Sequence, residues 1–151
     1  MTVYENIAYT ALLNDKNKKH VSEKVNLLLD RLELTEHKDK YPSEISGGMQ
    51  QRVAIGRAIV NNPEVIFGDE PTGALNSAMG QKVLDILTDL NKEGQSIVMV
   101  THDVKAALRG DRLVYLQDGR INGELNLGKY DEKDLVNRKK KLKEFLENQG
   151  W

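Results

Sequence analysis

The sequence predicts an α/β fold in which an all-helical segment precedes alternating strands and helices. Apolar residues recur at helical spacing before residue 62, whereas short β-branched runs alternate with helical segments after it. Such alternation favours a mostly parallel sheet that binds ligands at the C-terminal ends of its strands. We therefore divide the chain into a helical subdomain (residues 1–62), an α/β core (residues 63–127) and a C-terminal helix (residues 128–151).

Helical spacing and capping residues predict three helices in the first segment. Thr2 and Glu5 form a capping-box pattern, which opens a first helix that reaches about Leu13. A second helix covers roughly residues 20–33, where apolar residues recur every third or fourth position. A third covers residues 46–61 and ends before a proline, which cannot continue it.

Strands and helices alternate beyond that proline. A strand over Val65–Phe67 precedes a helix over Ser77–Lys92. Ser96–Thr101 is rich in β-branched residues and is predicted as a buried strand. Asp103 can cap a short helix that ends near Arg109. This order of elements is that of an α/β core.

A hairpin and a last helix complete the chain. Asp118–Gly119 is a turn signal between two short apolar strands, Leu113–Leu116 and Ile121–Leu125. The last helix begins at Asp131, and its leucines are spaced so that they face one way: Leu135, Leu142 and Leu146.

The composition limits the classes of function. With 39% hydrophobic and 30% charged residues the chain is globular rather than disordered. A net charge of -1 gives no indication of nucleic-acid binding, and we expect none. The absence of cysteine excludes disulfides and thiolate metal sites, and agrees with a reducing cytoplasm. The longest apolar runs are too short to cross a bilayer, so a membrane role requires a partner.

Three motifs can carry chemistry, and the first is Ile45–Arg52. Gly47 and Gly48 allow a phosphate to approach the backbone closely, and Ser46 offers a hydroxyl. The helix that follows presents free N–H groups and a partial positive charge. The alternative is an ordinary serine-capped helix after a glycine turn.

The second motif is Val65–Pro71, in which an apolar strand delivers two carboxylates to its C-terminal end. Asp69 can hold Mg²⁺, and Glu70 can polarise an attacking water molecule. The alternative is an acidic turn before a proline.

The third motif is Thr101–Asp103, again at the end of a strand. His102 can donate a hydrogen bond to a γ-phosphate or orient Glu70. The alternative is a loop histidine beside a helix N-cap.

The order and spacing of these motifs resemble the ATPase subunits of ABC transporters. In that family a signature motif, a Walker B strand, a D-loop and a switch histidine follow one another along the chain. The matching segments here are Ser46–Arg52, Val65–Glu70, Gly73–Asn76 and His102. The resemblance implies the C-terminal portion of a P-loop NTPase core with a helical signature subdomain.

This resemblance also implies a role for each matching residue in ATP hydrolysis. Glu70 and His102 would be catalytic and Asp69 would hold Mg²⁺. The ATP-binding residues would be Ser46, Gly47, Gly48 and Gln50 in the signature motif, with Ala74, Leu75 and Asn76 in the D-loop. Two positions depart from the family pattern: Ile45 replaces a usual leucine, and Asn76 replaces a usual aspartate at the end of the D-loop.

The implied assembly is a head-to-tail homodimer of ATPase subunits bound to a membrane permease. Each ATP would lie between one subunit's phosphate loop and the signature motif of the other. The parent protein would be cytoplasmic and peripheral at the inner face of the cell membrane.

A finer resemblance is to the branch that serves lipoprotein release, macrolide efflux and antimicrobial-peptide resistance. Ser46–Arg52 and Asp69–Leu75 are typical of that branch, and Phe145–Trp151 is similar to the ending of the bacitracin-type resistance members. We therefore expect export of, or resistance to, antimicrobial peptides or related amphiphiles.

A phosphate-binding loop, G-x-x-x-x-G-K-[ST], is missing from these 151 residues. Gly123–Lys129 is a near match, but Tyr130 replaces the Mg²⁺-binding hydroxyl. Leu125 and Leu127 alternate like a strand, and the segment follows the acidic pair instead of preceding it. We expect an N-terminally truncated and inactive fragment of an ATPase that requires the missing loop to bind ATP and Mg²⁺.

Two other functions are compatible with parts of the pattern. ABC-type ATPases of DNA repair and chromosome maintenance share the signature, but they carry long coiled-coil arms, and residues 1–45 show no sustained heptad. The chain could also be a non-catalytic interaction or dimerisation module. In that case the basic run Arg138–Lys143 is a contact for a membrane or an acidic partner, or simply a solvated helix face.

Overall fold

A computed structural model describes residues 1–150 of the chain. The helices and strands in this range are α1 (Val3–Leu12), α2 (Lys18–Arg31), α3 (Gly47–Ile59), β1 (Val65–Asp69), α4 (Ser77–Lys92), β2 (Ser96–Val100), α5 (Val104–Ala107), β3 (Arg112–Gln117), β4 (Arg120–Asn126) and α6 (Leu135–Asn148). Short 3₁₀ helices lie at Thr35–His37, Pro42–Glu44 and Glu132–Asp134. The chain packs as two units, one covering Met1–Val100 and the other beginning at Thr101.

The predicted start of the first helix is confirmed by its cap. At α1 the Thr2 hydroxyl accepts a hydrogen bond from Glu5 N at 3.2 Å, and the Glu5 carboxylate accepts one from Thr2 N at 2.7 Å. Helix α2 begins two residues earlier than expected, because Asn17 caps it by accepting from Lys19 N and His20 N. Such side-chain oxygens satisfy amide groups that a helix start leaves unpaired.

Helices α1 to α4 share the apolar core of the first unit. The side chains in it that are completely inaccessible to solvent are Val3, Ile7, Val25, Leu29, Leu32, Leu34, Val60 and Val83. Helix α3 approaches α1 closely at Gly56, where a Cβ atom would lie 2.8 Å from Ile7 Cδ1 and 2.9 Å from Leu32 Cδ1. This close packing fixes the helix that carries the first motif.

Strands β1 and β2 of the first unit pair in parallel, with Val65 opposite Ser96 and Asp69 opposite Val100. The prediction that the second of these strands is buried was wrong. Val98 is 50% and Val100 56% exposed, and Phe67 on β1 is 79% exposed. The reason is that successive side chains point to opposite faces of a sheet, and the face that packs against the core holds Ile66, Ile97 and Met99.

The second unit contains the predicted hairpin. Strands β3 and β4 are antiparallel, with Arg112 opposite Asn126, and Asp118 and Gly119 in the turn both have positive φ, 50° and 73°. In residues 1–150 the strands thus form one parallel and one antiparallel pair. The expected mostly parallel sheet is therefore found only in part.

The last helix differs slightly from expectation. Asp131 caps the 3₁₀ helix Glu132–Asp134 and α6 follows directly. Leu142 is buried and faces the unit, as predicted. The structure divides into two units after Val100. The domain limits at residues 62 and 127 stay predictions from the sequence. None of the helices within residues 1–150 is both long and apolar enough to cross a membrane.

Candidate functional site

The signature segment begins at the N-terminus of α3. Ser46 is the N-cap residue, and its hydroxyl accepts a hydrogen bond from Met49 N at 3.3 Å. The serine is half-buried and Gly47, the first helical residue, is exposed. Gly47 therefore presents backbone to solvent at the start of α3, which suits an approaching phosphate.

The D-loop and the start of α4 lie against this helix terminus. A Cβ atom at Gly47 would lie 3.4 Å from Leu75 Cδ2, and one at Gly48 would lie 3.1 Å from Met79 Cβ. The side chain of a larger residue at Gly48 would displace Met79. The structure therefore brings together two of the segments that the sequence singled out.

Gln50, the remaining signature residue proposed to bind ATP, is exposed. Its side-chain amide donates to Pro42 O at 2.9 Å and to Ile45 O at 3.4 Å. In this position Gln50 braces the loop that enters the signature helix.

The acidic pair stands where β1 ends. Asp69 is the last residue of the strand and is exposed, and Glu70 follows in a half-buried position. Glu70 has a φ of 44°, in the left-handed region that residues with a Cβ rarely adopt. Glu70 N donates to Val100 O at 2.9 Å, which ties this turn to the end of β2. The backbone therefore leaves the strand conformation between Asp69 and Glu70.

A compact turn joins Glu70 to α4. Glu70 O accepts a hydrogen bond from Gly73 N at 3.0 Å, and Thr72 O accepts one from Leu75 N at 3.0 Å. Asn76 is the N-cap of α4, and its Oδ1 accepts from Met79 N at 3.0 Å. The asparagine thus performs a capping role that an aspartate also performs, while Ala74 is exposed in the same turn.

His102 belongs to the second unit. It is exposed and lies between Thr101 and Asp103, whose backbone N donates to Thr101 Oγ1 at 2.9 Å. Asp103 is the N-cap of α5, as predicted, and its Oδ1 accepts from Lys105 N at 2.8 Å. The histidine therefore sits on a tight turn that is braced on both sides.

Most of the near match to a phosphate loop is a β-strand. Gly123–Asn126 is part of β4, Leu127 is buried, and Lys129 forms an ion pair with Asp111 at 2.6 Å. The prediction that this segment is strand rather than phosphate loop is confirmed. Within residues 1–150 no group of three or more histidine or carboxylate side chains is placed to hold a metal ion.

The sequence did not predict the partners of Arg52, the last residue of the signature segment. Arg52 is only 7% exposed and donates to Leu32 O at 2.8 Å and to Glu33 Oε2 at 3.0 Å. Lys82 from α4 also reaches Glu33, at 3.3 Å. The hydrogen bond from Lys82, its charge and that of Arg52 hold the pKa of Glu33 below its ordinary value of 4.5. Periodicity alone could not pair residues so distant in sequence.

Arg138 was also missed, since the sequence places it in a run of basic residues. Lys139, Lys140 and Lys141 are exposed, as a solvated face requires, but Arg138 is completely buried. The sequence did contain a signal for this burial, because position 138 lies at helical spacing from Leu135 and Leu142.

Comparison with protein families gives the context of these motifs. Residues 1–73 match the family model described as ABC transporter. The matched range includes the signature segment and the acidic pair, and it ends inside the turn that follows Glu70.

Curated relatives align along most or all of the chain. The macrolide export ATP-binding/permease protein MacB of Campylobacter jejuni is 41% identical over 154 residues, which covers 100% of this chain and 24% of that protein. An ABC transporter ATP-binding protein of Methanocaldococcus jannaschii, described as uncharacterized, is 38% identical over 138 residues, which covers 88% of this chain and 59% of the relative. The chain thus spans between a quarter and three fifths of these proteins.

Solved structures of the same archaeal cassette share the fold. One is a dimer in a post-hydrolysis state bound to ADP and Pi; it superposes with a TM-score of 0.75 at 36% identity and covers 86% of this chain and 58% of that one. A second dimeric structure gives the same TM-score at 37% identity. Residues 1–73 therefore belong to the ABC transporter family, and the chain has the fold of that family's ATP-binding cassettes.

Proposed function

We propose that this chain supplies the signature and hydrolysis motifs of an ATPase subunit that powers a bacterial ABC transporter. The observation that carries the proposal is the end of β1, where Asp69 and Glu70 leave a strand and Glu70 enters a strained turn held by Val100 O. Strained backbone of this kind is concentrated at functional sites. The family match and the cassette fold support the same reading.

In this mechanism Glu70 is the general base. Its carboxylate accepts a proton from the water that attacks the γ-phosphate, which makes the water a better nucleophile. His102 donates a hydrogen bond to the γ-phosphate and so senses whether it is present. Its place on a braced turn supports this role, since an effective donor must be held in position before the reaction.

Asp69 suits the Mg²⁺ ion that accompanies ATP. Magnesium keeps several water molecules and is bound through one or two carboxylates together with substrate phosphates. A single exposed carboxylate at a strand end fits an ion delivered in this way, although it would not hold one alone. When bound, the ion neutralises charge that develops on the phosphate oxygens.

The signature segment is proposed to act on the nucleotide of a second subunit. Ser46, Gly47 and the free amides of α3 would contact the γ-phosphate across a head-to-tail homodimer, with Gln50 bracing their loop. Ala74, Leu75 and Asn76 would line the same interface. Leu75 packs against Gly47, which supports the proposal that both segments belong to one dimer interface. The dimeric state of the related archaeal cassettes supports the same proposal.

A permease is the proposed membrane partner, at the inner face of the cell membrane. The relative from Campylobacter jejuni is named as a joint ATP-binding and permease protein, which supports this arrangement. The alternative function, an ATPase of DNA repair, has no support from the helices. Its long coiled-coil arms need long helices, whereas α1 and α2 are only 10 and 14 residues long.

Antimicrobial peptides or related amphiphiles are the proposed substrates. Support comes from the typical residues of Ser46–Arg52 and Phe145–Trp151 and from a relative named for macrolide export. Deletion of the gene should increase sensitivity to bacitracin-type peptides more than to macrolides in growth-inhibition assays. The reverse order of sensitivities would assign the transporter to macrolides instead.

The chain by itself is proposed to be inactive. Without the phosphate loop, triphosphate oxygens meet one helix N-terminus and no lysine clamp. Isothermal titration calorimetry of the purified 151-residue chain with Mg-ATP should therefore detect no micromolar binding. A micromolar dissociation constant would show that these residues suffice for ATP binding.

The catalytic assignment is tested in the full-length protein by Glu70→Gln. This change keeps the size of the side chain but removes the base, so the steady-state ATPase rate should fall by at least roughly 10²-fold to 10⁴-fold. Glu64→Gln is the matched control, because Glu64 is an exposed carboxylate just before the same strand, and its rate should stay near wild type. Wild-type turnover by Glu70→Gln would refute the assignment.

A further inference from the structure

Arg138 makes an unusual set of contacts for a buried charge. The side chain is 0% exposed, and within the described chain its hydrogen bonds all end on backbone carbonyl oxygens. Two of these carbonyls follow α5: Leu108 O at 2.9 Å and Gly110 O at 2.7 Å. The other three follow β4 and belong to Leu127, Gly128 and Lys129, at 3.1, 3.0 and 3.3 Å.

Burying a guanidinium without a carboxylate is costly, and its hydrogen bonds must offset that cost. Anchoring α6 does not require such a group, because Leu142 on the same face is already buried. The guanidinium of Arg138 is instead suited to fixing two loops relative to each other, because this rigid planar group donates hydrogen bonds in several directions at once.

The loop that most needs fixing is the one that carries His102. Helix α5 has only four residues, Val104–Ala107, and a single turn of helix is not stable without support at its ends. Asp103 supports the first end as N-cap. At the other end Leu108 N donates to Val104 O at 2.9 Å, and Leu108 O in turn accepts from Arg138.

A continuous set of hydrogen bonds therefore links the arginine to the histidine turn. Ala107 N donates to Asp103 O at 2.9 Å, Gly110 N donates to Ala107 O at 3.0 Å, and Gly110 O accepts from Arg138. Asp103 N closes the turn around His102 by donating to Thr101 Oγ1.

We propose that Arg138 is a positioning residue for His102: by fixing the end of α5 from the C-terminal helix, it holds the histidine turn where the γ-phosphate is to be met. The inference rests on the proposed function, in which His102 contacts the γ-phosphate. Loss of Arg138 frees the end of α5, and a displacement of about 1 Å at a catalytic group can cost roughly 10²-fold in rate.

A double-mutant cycle in the full-length protein tests the proposal. The variants are Arg138→Met, His102→Ala and the double variant, and kcat and KM for ATP are measured for each. Arg138→Met should lower kcat by about 10²-fold with a much smaller change in KM. In the His102→Ala background the same change should lower kcat little further, because the group through which Arg138 acts is gone.

Two further variants keep the result decisive. Arg112→Met removes an exposed arginine of the same unit that pairs with Glu124, and it should leave kcat unchanged in both backgrounds. If Arg138→Met does not fold, Arg138→Lys replaces it in the cycle, because lysine keeps the charge but can satisfy only part of the five carbonyls. It should lower kcat only when His102 is present.

The outcomes separate the two hypotheses. An equal fold-loss of kcat from the Arg138 variant in both backgrounds, with His102→Ala itself impaired, would overturn the positioning role and leave the proposed function intact. Wild-type turnover by His102→Ala would overturn both the role of His102 and the inference that depends on it.

Discussion

Glu70 combines two properties at a single residue, a left-handed backbone and a carboxylate at a strand end. The sequence predicts the carboxylate, because an acidic pair after an apolar strand is visible in the order of residues. It cannot predict the φ of 44°, since the hydrogen bond from Glu70 N to Val100 O forms only once β1 and β2 have paired. Strain that tertiary contacts enforce has no local sequence signal.

Glu33 follows α2 and forms ion pairs with Arg52 on α3 and Lys82 on α4. The pKa of Glu33 is lowered in the folded state by Lys82 and Arg52. Its stabilising effect is therefore fully present above the ordinary pKa of 4.5 and is lost as the pH falls through the folded-state pKa. Because the Glu33 side chain is 66% exposed, the effect is screened by solvent and small.

The prediction is that Glu33→Gln lowers the free energy of unfolding by roughly 0.2–1 kcal/mol at neutral pH. Urea denaturation at several pH values should show this difference shrinking below pH 4.5. Glu36→Gln, a nearby exposed carboxylate, should show neither effect. A difference that grows toward acidic pH would contradict the sign of the linkage.

At the scale of elements, caps and periodicity located most of the helices. Thr2, Ser46 and Asp103 each cap the helix that the sequence assigned to them. Burial was harder to predict. The β-branched run of β2 has the composition of a buried strand, yet Val98 and Val100 on its outer face are 50% and 56% exposed. Composition reports what a strand can bury and not what covers it.

The cap of α4 provides an element-scale prediction. Asn76→Ala removes the acceptor for Met79 N and should lower the free energy of unfolding by about 1 kcal/mol. Asn76→Asp keeps the acceptor and adds a charge that the helix dipole favours, so it should be neutral or stabilising by roughly 0.3–1 kcal/mol. Thermal melts of the two variants measure this, and an equal loss in both would show that the side chain has no capping role.

At the scale of the whole molecule, the sequence predicted the family and the order of motifs. Their joint spacing is informative where each motif alone is weak, and the family match and cassette fold confirm the resemblance. The connections that depend on distant residues could not be predicted. The buried Arg138 and the contact of Leu75 with Gly47 both arise from packing between elements far apart in sequence.

The chain corresponds to 58% of the archaeal cassette and 24% of the macrolide exporter. A site built from this chain alone contains the signature segment and the acidic pair but no phosphate loop. We therefore propose that these residues act on ATP held between two subunits, with Glu70 as the base that ends the closed state.

Gel filtration of full-length Glu70→Gln in Mg-ATP tests this role of Glu70. Because hydrolysis is what opens the closed dimer in this account, the variant should elute as a stable dimer with ATP and as a monomer without it. Ser46→Arg, added to the same variant, should abolish the dimer by obstructing the signature segment. A Glu70→Gln protein that stays monomeric in Mg-ATP while it hydrolyses at the wild-type rate would contradict the account.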